Sequence, residues 1–144
     1  MKAVLDTNVI VSYLLSPSGD SAASVVVRLA LESAFPLVLS ERVIEEALHS
    51  VATKSFLAAR VRAEDAEILG SMLSSVAEGI ISSSGTHPSV VRDQNDDFFV
   101  DPRLLAGVSY LVTGDKDLLI LHSIGSTQIV TPREFLGLLA LERD

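Results

Sequence analysis

Cysteine is absent from this chain of 144 residues, which excludes a disulfide framework and any Cys-ligated zinc site and fits a reducing cytoplasm. Long apolar runs are absent too. Met1-Lys2-Ala3-Val4-Leu5-Asp6 meets an acid after three apolar residues, and Val25-Val26-Val27 and the run from Leu118 to Leu121 are broken as quickly. No signal-peptide core and no membrane span is expected. Basic residues are scarce: 11 Lys and Arg stand against 19 Asp and Glu, for a net charge of −8. That balance counts against a binder relying on a broad basic stripe. It does not exclude a site whose acids hold cations, because bound ions are often the largest local charges. His49, His87 and His122 have no ligand spacing and receive no role.

What is present is apolar material, 48% of residues, enough for one domain over 1–144 to bury a core without covalent staples. No internal repeat, linker or low-complexity tail divides it. Lys2 to Leu5 reads as a buried strand ending in Asp6-Thr7-Asn8, and Val9 to Leu15 as a helix. Ser21 to Ser33 reads as a helix with Ala22, Val25, Val26, Leu29 and Ala30 on one face, capped by Asp20 or Ser21. Pro36 to Ser40 gives a second strand. Ser40 is placed to cap a helix built on Val43, Ile44, Ala47, Leu48 and Val51. Glu64 to Glu78 is a further helix through Ala66, Ile68, Leu69, Met72, Leu73 and Val76, with Gly79 as its stop and Ile80-Ile81 as a strand. After a Ser/Gly/His/Pro loop from Ser82 to Ser89, the segment Phe98 to Gly107 reads as helical, with Phe98 and Phe99 in the core. Tyr110 to Thr113 is the clearest buried strand and ends in Gly114-Asp115-Lys116-Asp117. Gln128 to Val130 is the last strand, and Thr131 caps a closing helix with Pro132 in its first turn. Strands alternating with helices imply an α/β fold with a mostly parallel sheet covered on both faces.

In open parallel sheets the site lies beyond the carboxyl ends of the strands, and here two strands end in carboxylates, Asp6 and Asp115. Glu45 or Glu46 follows the second strand by about two helical turns, and Asp96-Asp97 precedes the Tyr110 strand, so four acids can converge on one cleft. Glu46 lies nearer the apolar stripe than Glu45 and is preferred. Four carboxylates together repel one another unless cations lie between them. All-oxygen ligands without Cys or paired His favour magnesium or manganese over zinc. Such ions activate water for in-line attack on a phosphodiester. Taken singly, a strand-end acid is more often a cap or a solvated turn residue than a ligand, and Asp93 reads as a turn residue. Thr7, Asn8, Ser40 and Thr113 flank the acids and could orient them, although capping alone explains Ser40. Lys54, Arg60, Arg62, Arg92, Arg103 and Lys116 could meet phosphates or serve only as solvated surface.

The pieces Val4-Leu5-Asp6-Thr7-Asn8-Val9-Ile10, Val38-Leu39-Ser40 through Glu45-Glu46, Asp93 to Val100, and Tyr110 through Asp117-Leu118 resemble the PIN-domain family. With Ile129 to Phe135, they look like its subgroup of toxin components of bacterial toxin–antitoxin systems, ribonucleases held in check by an antitoxin. The resemblance implies a three-layer α/β/α sandwich and a Mg2+- or Mn2+-dependent endoribonuclease site. It implies Asp6, Glu46, Asp96 and Asp115 as metal and catalytic acids, with Asp97 as the fallback for Asp96 and Asp117 as a supporting acid. Asp96 is preferred because Phe99 follows it by three positions. The resemblance further implies an RNA substrate, a cognate antitoxin and a homodimer. Asp101-Pro102-Arg103 departs from the family, since a proline inside a helix costs about 3 kcal/mol unless it falls in the first turn. A helix starting near Asp101 would leave Asp96 and Asp97 on a loop and make Asp101 a further candidate. Two alternatives stand beside the nuclease. One is a PIN-fold protein-binding module with an impaired site. The other is a phosphatase of the haloacid-dehalogenase kind with Asp6 as nucleophile, which expects an aspartate where Asn8 stands. An acidic surface points to structured or short single-stranded RNA, read by shape or stacking.

Overall fold

Short β-branched runs alternate along the chain with stretches of helical period, and strands alternate with helices accordingly. The computed structural model describes residues 1–82 and 101–143. The strands are β1 (Ala3–Leu5), β2 (Leu37–Ser40), β3 (Gly79–Ile81), β4 (Tyr110–Val112), β5 (Ser123–Ile124) and β6 (Thr127–Val130). The helices are α1 (Thr7–Leu15), α2 (Ala22–Leu31), α3 (Glu41–Thr53), α4 (Ser55–Ala58), α5 (Ala63–Val76), α6 (Lys116–Leu119) and α7 (Pro132–Arg143), with a 3-10 turn over Pro102–Leu105. The described strands form one sheet in the order β3-β2-β1-β4-β6-β5, parallel except for the β5–β6 pair at one edge. Helices flank it in a three-layer α/β/α sandwich. No helix among the described residues is long and apolar enough to cross a membrane.

β1 and β2 are buried along their whole length, as strands covered on both faces must be. Their side chains join Val26, Val27, Val43, Leu73, Leu111 and Leu118 in one core. Phe135 on α7 is fully buried at its edge, with its ring 4.9 Å from Phe35 and 5.9 Å from Tyr110, both edge-on. Local signals set the helix starts. Ser21 accepts from the Ser24 amide at 3.1 Å, and Ser40 from the Val43 amide at 3.3 Å. Thr131 and Glu134 form a reciprocal box, with Thr131 N–H on Glu134 Oε1 at 2.9 Å and Glu134 N–H on Thr131 Oγ1 at 3.1 Å.

Several expectations are corrected. α2 buries Val26, Val27 and Ala30 while Val25 and Leu29 are only half-buried, because the helix packs against α1, α5 and α7 together and its contact arc is rotated. Ile68 and Met72 on α5 are exposed; the buried line is Ala66, Leu69, Gly70 and Leu73. Gly79 does not stop α5, which ends at Val76 with Ala77 as its cap; Gly79 opens β3. The described part of the expected helix up to Gly107 is the 3-10 turn, with Pro102 in its first turn and Asp101 as its cap. Gly107, at φ +80°, leaves that turn in a conformation that side chains with a Cβ disfavour. The short elements α4, α6 and β5 were too brief to show a period.

Candidate active site

The sheet order turns around between β1 and β4: β1 leads to β2 and β3 on one side, and β4 leads to β6 on the other. Such a switch point opens a crevice at the carboxyl ends of the two strands. Asp6 follows β1 and Asp115 lies three residues beyond β4, so both acids stand at that crevice. Each caps the helix that follows. Asp6 Oδ1 accepts from the Thr7 amide at 2.8 Å, and Asp115 Oδ1 from the Asp117 amide at 2.9 Å. The capping and site readings of a strand-end acid are therefore compatible, since a carboxylate has lone pairs left after accepting one bond.

The strand register explains the contacts of the other Asp6 oxygen. Leu5 pairs with Val112, so the next step brings Asp6 beside Thr113. The fully buried Thr113 hydroxyl donates to Asp6 Oδ2 at 2.7 Å and accepts from the Asp115 amide at 2.9 Å, linking both acids through one oxygen atom. Asn8 donates to Asp6 Oδ2 at 3.3 Å and to Thr113 Oγ1 at 3.2 Å, and accepts from the Gly114 amide at 2.8 Å. A Cβ at Gly114 would stand 3.3 Å from Asn8 Oδ1, so the glycine admits this close approach. Asn8 is thus a clamp between β1 and β4.

Glu46 reaches the crevice from α3. Its Oε1 accepts from the Thr7 hydroxyl at 2.8 Å and its Oε2 from Arg42 Nε at 3.2 Å, in a pair whose side chains are 21% and 14% exposed. Glu45 is exposed, as the stripe argument expected. Arg42 was missed from sequence, although its position four residues before Glu46 is the spacing of a helical ion pair.

Asp6, Thr7, Asn8, Glu46 and Asp115 line a single cleft of about 280 Å3, whose other lining residues are Val11, Ser50, Lys54 and Leu57. Burial raises the Asp6 carboxyl above its ordinary range; the Thr113 hydroxyl and the Thr7 amide oppose that, and the charges of Glu46 and Asp115 add to it. As pH rises past the ordinary aspartate value, the unfolded chain ionises first, so the contribution of Asp6 is full below that value and lost as pH passes the raised one. Asparagine does not titrate. The unfolding free energy of wild type relative to Asp6→Asn should therefore fall as pH rises from the ordinary aspartate value through the raised one in denaturant titrations. A difference that is flat or rises with pH would refute the burial account.

The remaining candidates fall elsewhere. Ser40 is buried and caps α3, away from the cleft lining. Asp101 accepts from the Arg103 amide at 3.0 Å and pairs with the Arg103 side chain at 2.9 Å, an exposed interaction that lowers its carboxyl pKa. Asp117 is exposed in the first turn of α6 and does not line the cleft. Asp96 and Asp97, with His87, Arg92, Phe98 and Phe99, lie outside the described residues. Among the described residues, no group of three Asp, Glu, His or Cys side chains is close enough to hold a metal ion. The cleft acids nevertheless form an all-oxygen donor set, which fits a hard divalent cation, and the opposed ionisation of Asp6 is what such a cation would relieve.

A family model described as a PIN domain matches residues 2–117 of this chain. No curated protein matches it.

Proposed function

The chain belongs to the PIN-domain family, whose members are typically metal-dependent nucleases, and from that premise we propose that it is a Mg2+- or Mn2+-dependent endoribonuclease. The observation that carries the reading is the convergence of Asp6, Glu46 and Asp115, from three separate elements, on one cleft at the switch point of the sheet. Asp6, Glu46 and Asp115 line the cleft without standing close enough to share an ion as they are, so they would draw in on the metal to hold it, joined by Asp96 as the fourth acid. When bound, the ion supplies Lewis acidity toward a phosphodiester and its attacking water. The chain's own contribution is orientation. Thr113 and Asn8 fix one oxygen of Asp6, the Thr7 amide fixes the other, and Thr7 and Arg42 hold Glu46. With both Asp6 oxygens engaged, its rotamer is set before any ligand arrives, which limits the ordering cost of binding.

The finer reading is a toxin of a toxin–antitoxin pair, working as a homodimer in the cytoplasm and restrained by a cognate antitoxin. Its support is the sequence likeness to that subgroup, which runs on to Ile129–Phe135, and the lack of cysteine. Incubation of the full chain with a mixed RNA pool should give cleavage with Mg2+ or Mn2+, loss with EDTA and recovery when the metal is returned. No cleavage under any of these conditions, together with no heat of Mn2+ binding in calorimetry, would end the nuclease reading.

A further inference from the structure

The cleft continues past its acids to Lys54 and Leu57, where α3 gives way to α4. From there, residues 54–62 read Lys-Ser-Phe-Leu-Ala-Ala-Arg-Val-Arg, with three cations and no acid in a chain of net charge −8; of the three, Arg62 is paired with Glu64 just beyond, which leaves Lys54 and Arg60 as the candidate cations. The packing of this segment rests on Leu57 and Val61, both buried. Phe56 takes no part in that burial; 57% of it is exposed. The Arg60 guanidinium lies over its ring, 3.9 Å from the centroid, and donates to the Phe56 carbonyl at 3.1 Å. An aromatic ring in solvent, backed by a guanidinium and two residues from a lysine that lines the cleft, combines the two elements that hold unpaired nucleotides: cations for phosphates and a flat apolar face for a base.

We propose that residues 54–62 are a single-stranded RNA platform extending the acidic cleft. Lys54 takes a phosphate beside the reacting one, and Phe56 with Arg60 stacks the base of a flanking nucleotide. The platform rests on the nuclease reading and names the residues that would hold the strand next to the cut. A duplex keeps its bases stacked inside, out of reach of Phe56. An acidic peptide would engage Lys54 and Arg60 but leave the ring without a partner.

The test is fluorescence anisotropy of the full chain with a labelled single-stranded RNA of about twelve nucleotides, a length suited to such grooves. The titration is run in EDTA, so that no metal-dependent cutting accompanies binding. Phe56→Ala is expected to weaken binding about tenfold or more, and Phe56→Tyr to keep it. Lys54→Ala should reduce the slope of log affinity against log salt by about 0.7, the loss of one phosphate contact on a single strand. The corresponding duplex should bind more weakly and ignore Phe56→Ala. The proposal is overturned if the wild type does not bind the single strand, if Phe56→Ala leaves affinity unchanged, or if a glutamate-rich peptide binds more tightly than the RNA. Because binding is read without chemistry, the two readings fail separately. Phe56-dependent binding by a chain that cuts nothing keeps the platform and removes the nuclease, whereas cleavage with Phe56-independent binding does the reverse.

Discussion

Asp6→Asn is expected to reduce RNA cleavage on the order of 10³-fold or more, the loss of about 4 kcal/mol of transition-state stabilisation. Asparagine has nearly the shape of aspartate, and its carbonyl oxygen can still accept either the Thr7 amide or the Thr113 hydroxyl. What it lacks is the charge. Asp6 is the acid whose oxygens join the others, through the shared Thr113 hydroxyl to Asp115 and through Thr7 to Glu46. The variant should therefore fold, keep its far-ultraviolet circular dichroism and lose both cleavage and the calorimetric heat of Mn2+ binding. Within α3, Glu46→Gln should reduce cleavage as well, while the exposed Glu45→Gln serves as the matched control. An Asp6→Asn protein that still cuts RNA at a comparable rate would show that the acids of this cleft do not carry the chemistry.

The largest effect on stability is expected at Phe135. It lies on α7, beyond the residues matched by the family model, yet it is fully buried against Phe35 and Tyr110. Phe135→Ala removes both edge-on contacts and leaves a cavity that the strands cannot close, since Tyr110 is held in register with Ala3 and Gln128. The expected cost is about 3–5 kcal/mol, seen as a lower urea midpoint with an unchanged slope. β4, which carries Asp115 at its exit, is braced by this helix. A cost below about 1 kcal/mol would mean that the closing helix is an appendage rather than part of the core.

Where strands and helices lie was legible where local chemistry alone decides it. The β-branched runs at Val4 and Tyr110 announced buried strands, and Ser21, Ser40 and Thr131 announced the helix starts, because a cap answers only to the next three residues. That Glu46 lies toward the core side and Glu45 in solvent was also readable, since the helical period separates the two. The period misled at Ile68 and Met72, because an apolar stripe shows that one face is to be buried but not how wide the neighbour is. The 3-10 turn at Pro102 was readable as a late start, from proline's missing amide hydrogen.

By itself, the sequence determined the alternation of elements, the acids at the ends of the first and fourth strands, and the chemical kind of site that oxygen ligands without cysteine permit. Tertiary structure alone decided that Thr113 lies 2.7 Å from Asp6, that Arg42 and Thr7 share Glu46, and that Phe56 stands open beside Lys54. The reason is the range of the interactions. Caps and periods act over a few residues, whereas the Asp6–Thr113 contact joins positions 107 apart and follows from a parallel register set when the whole sheet packs.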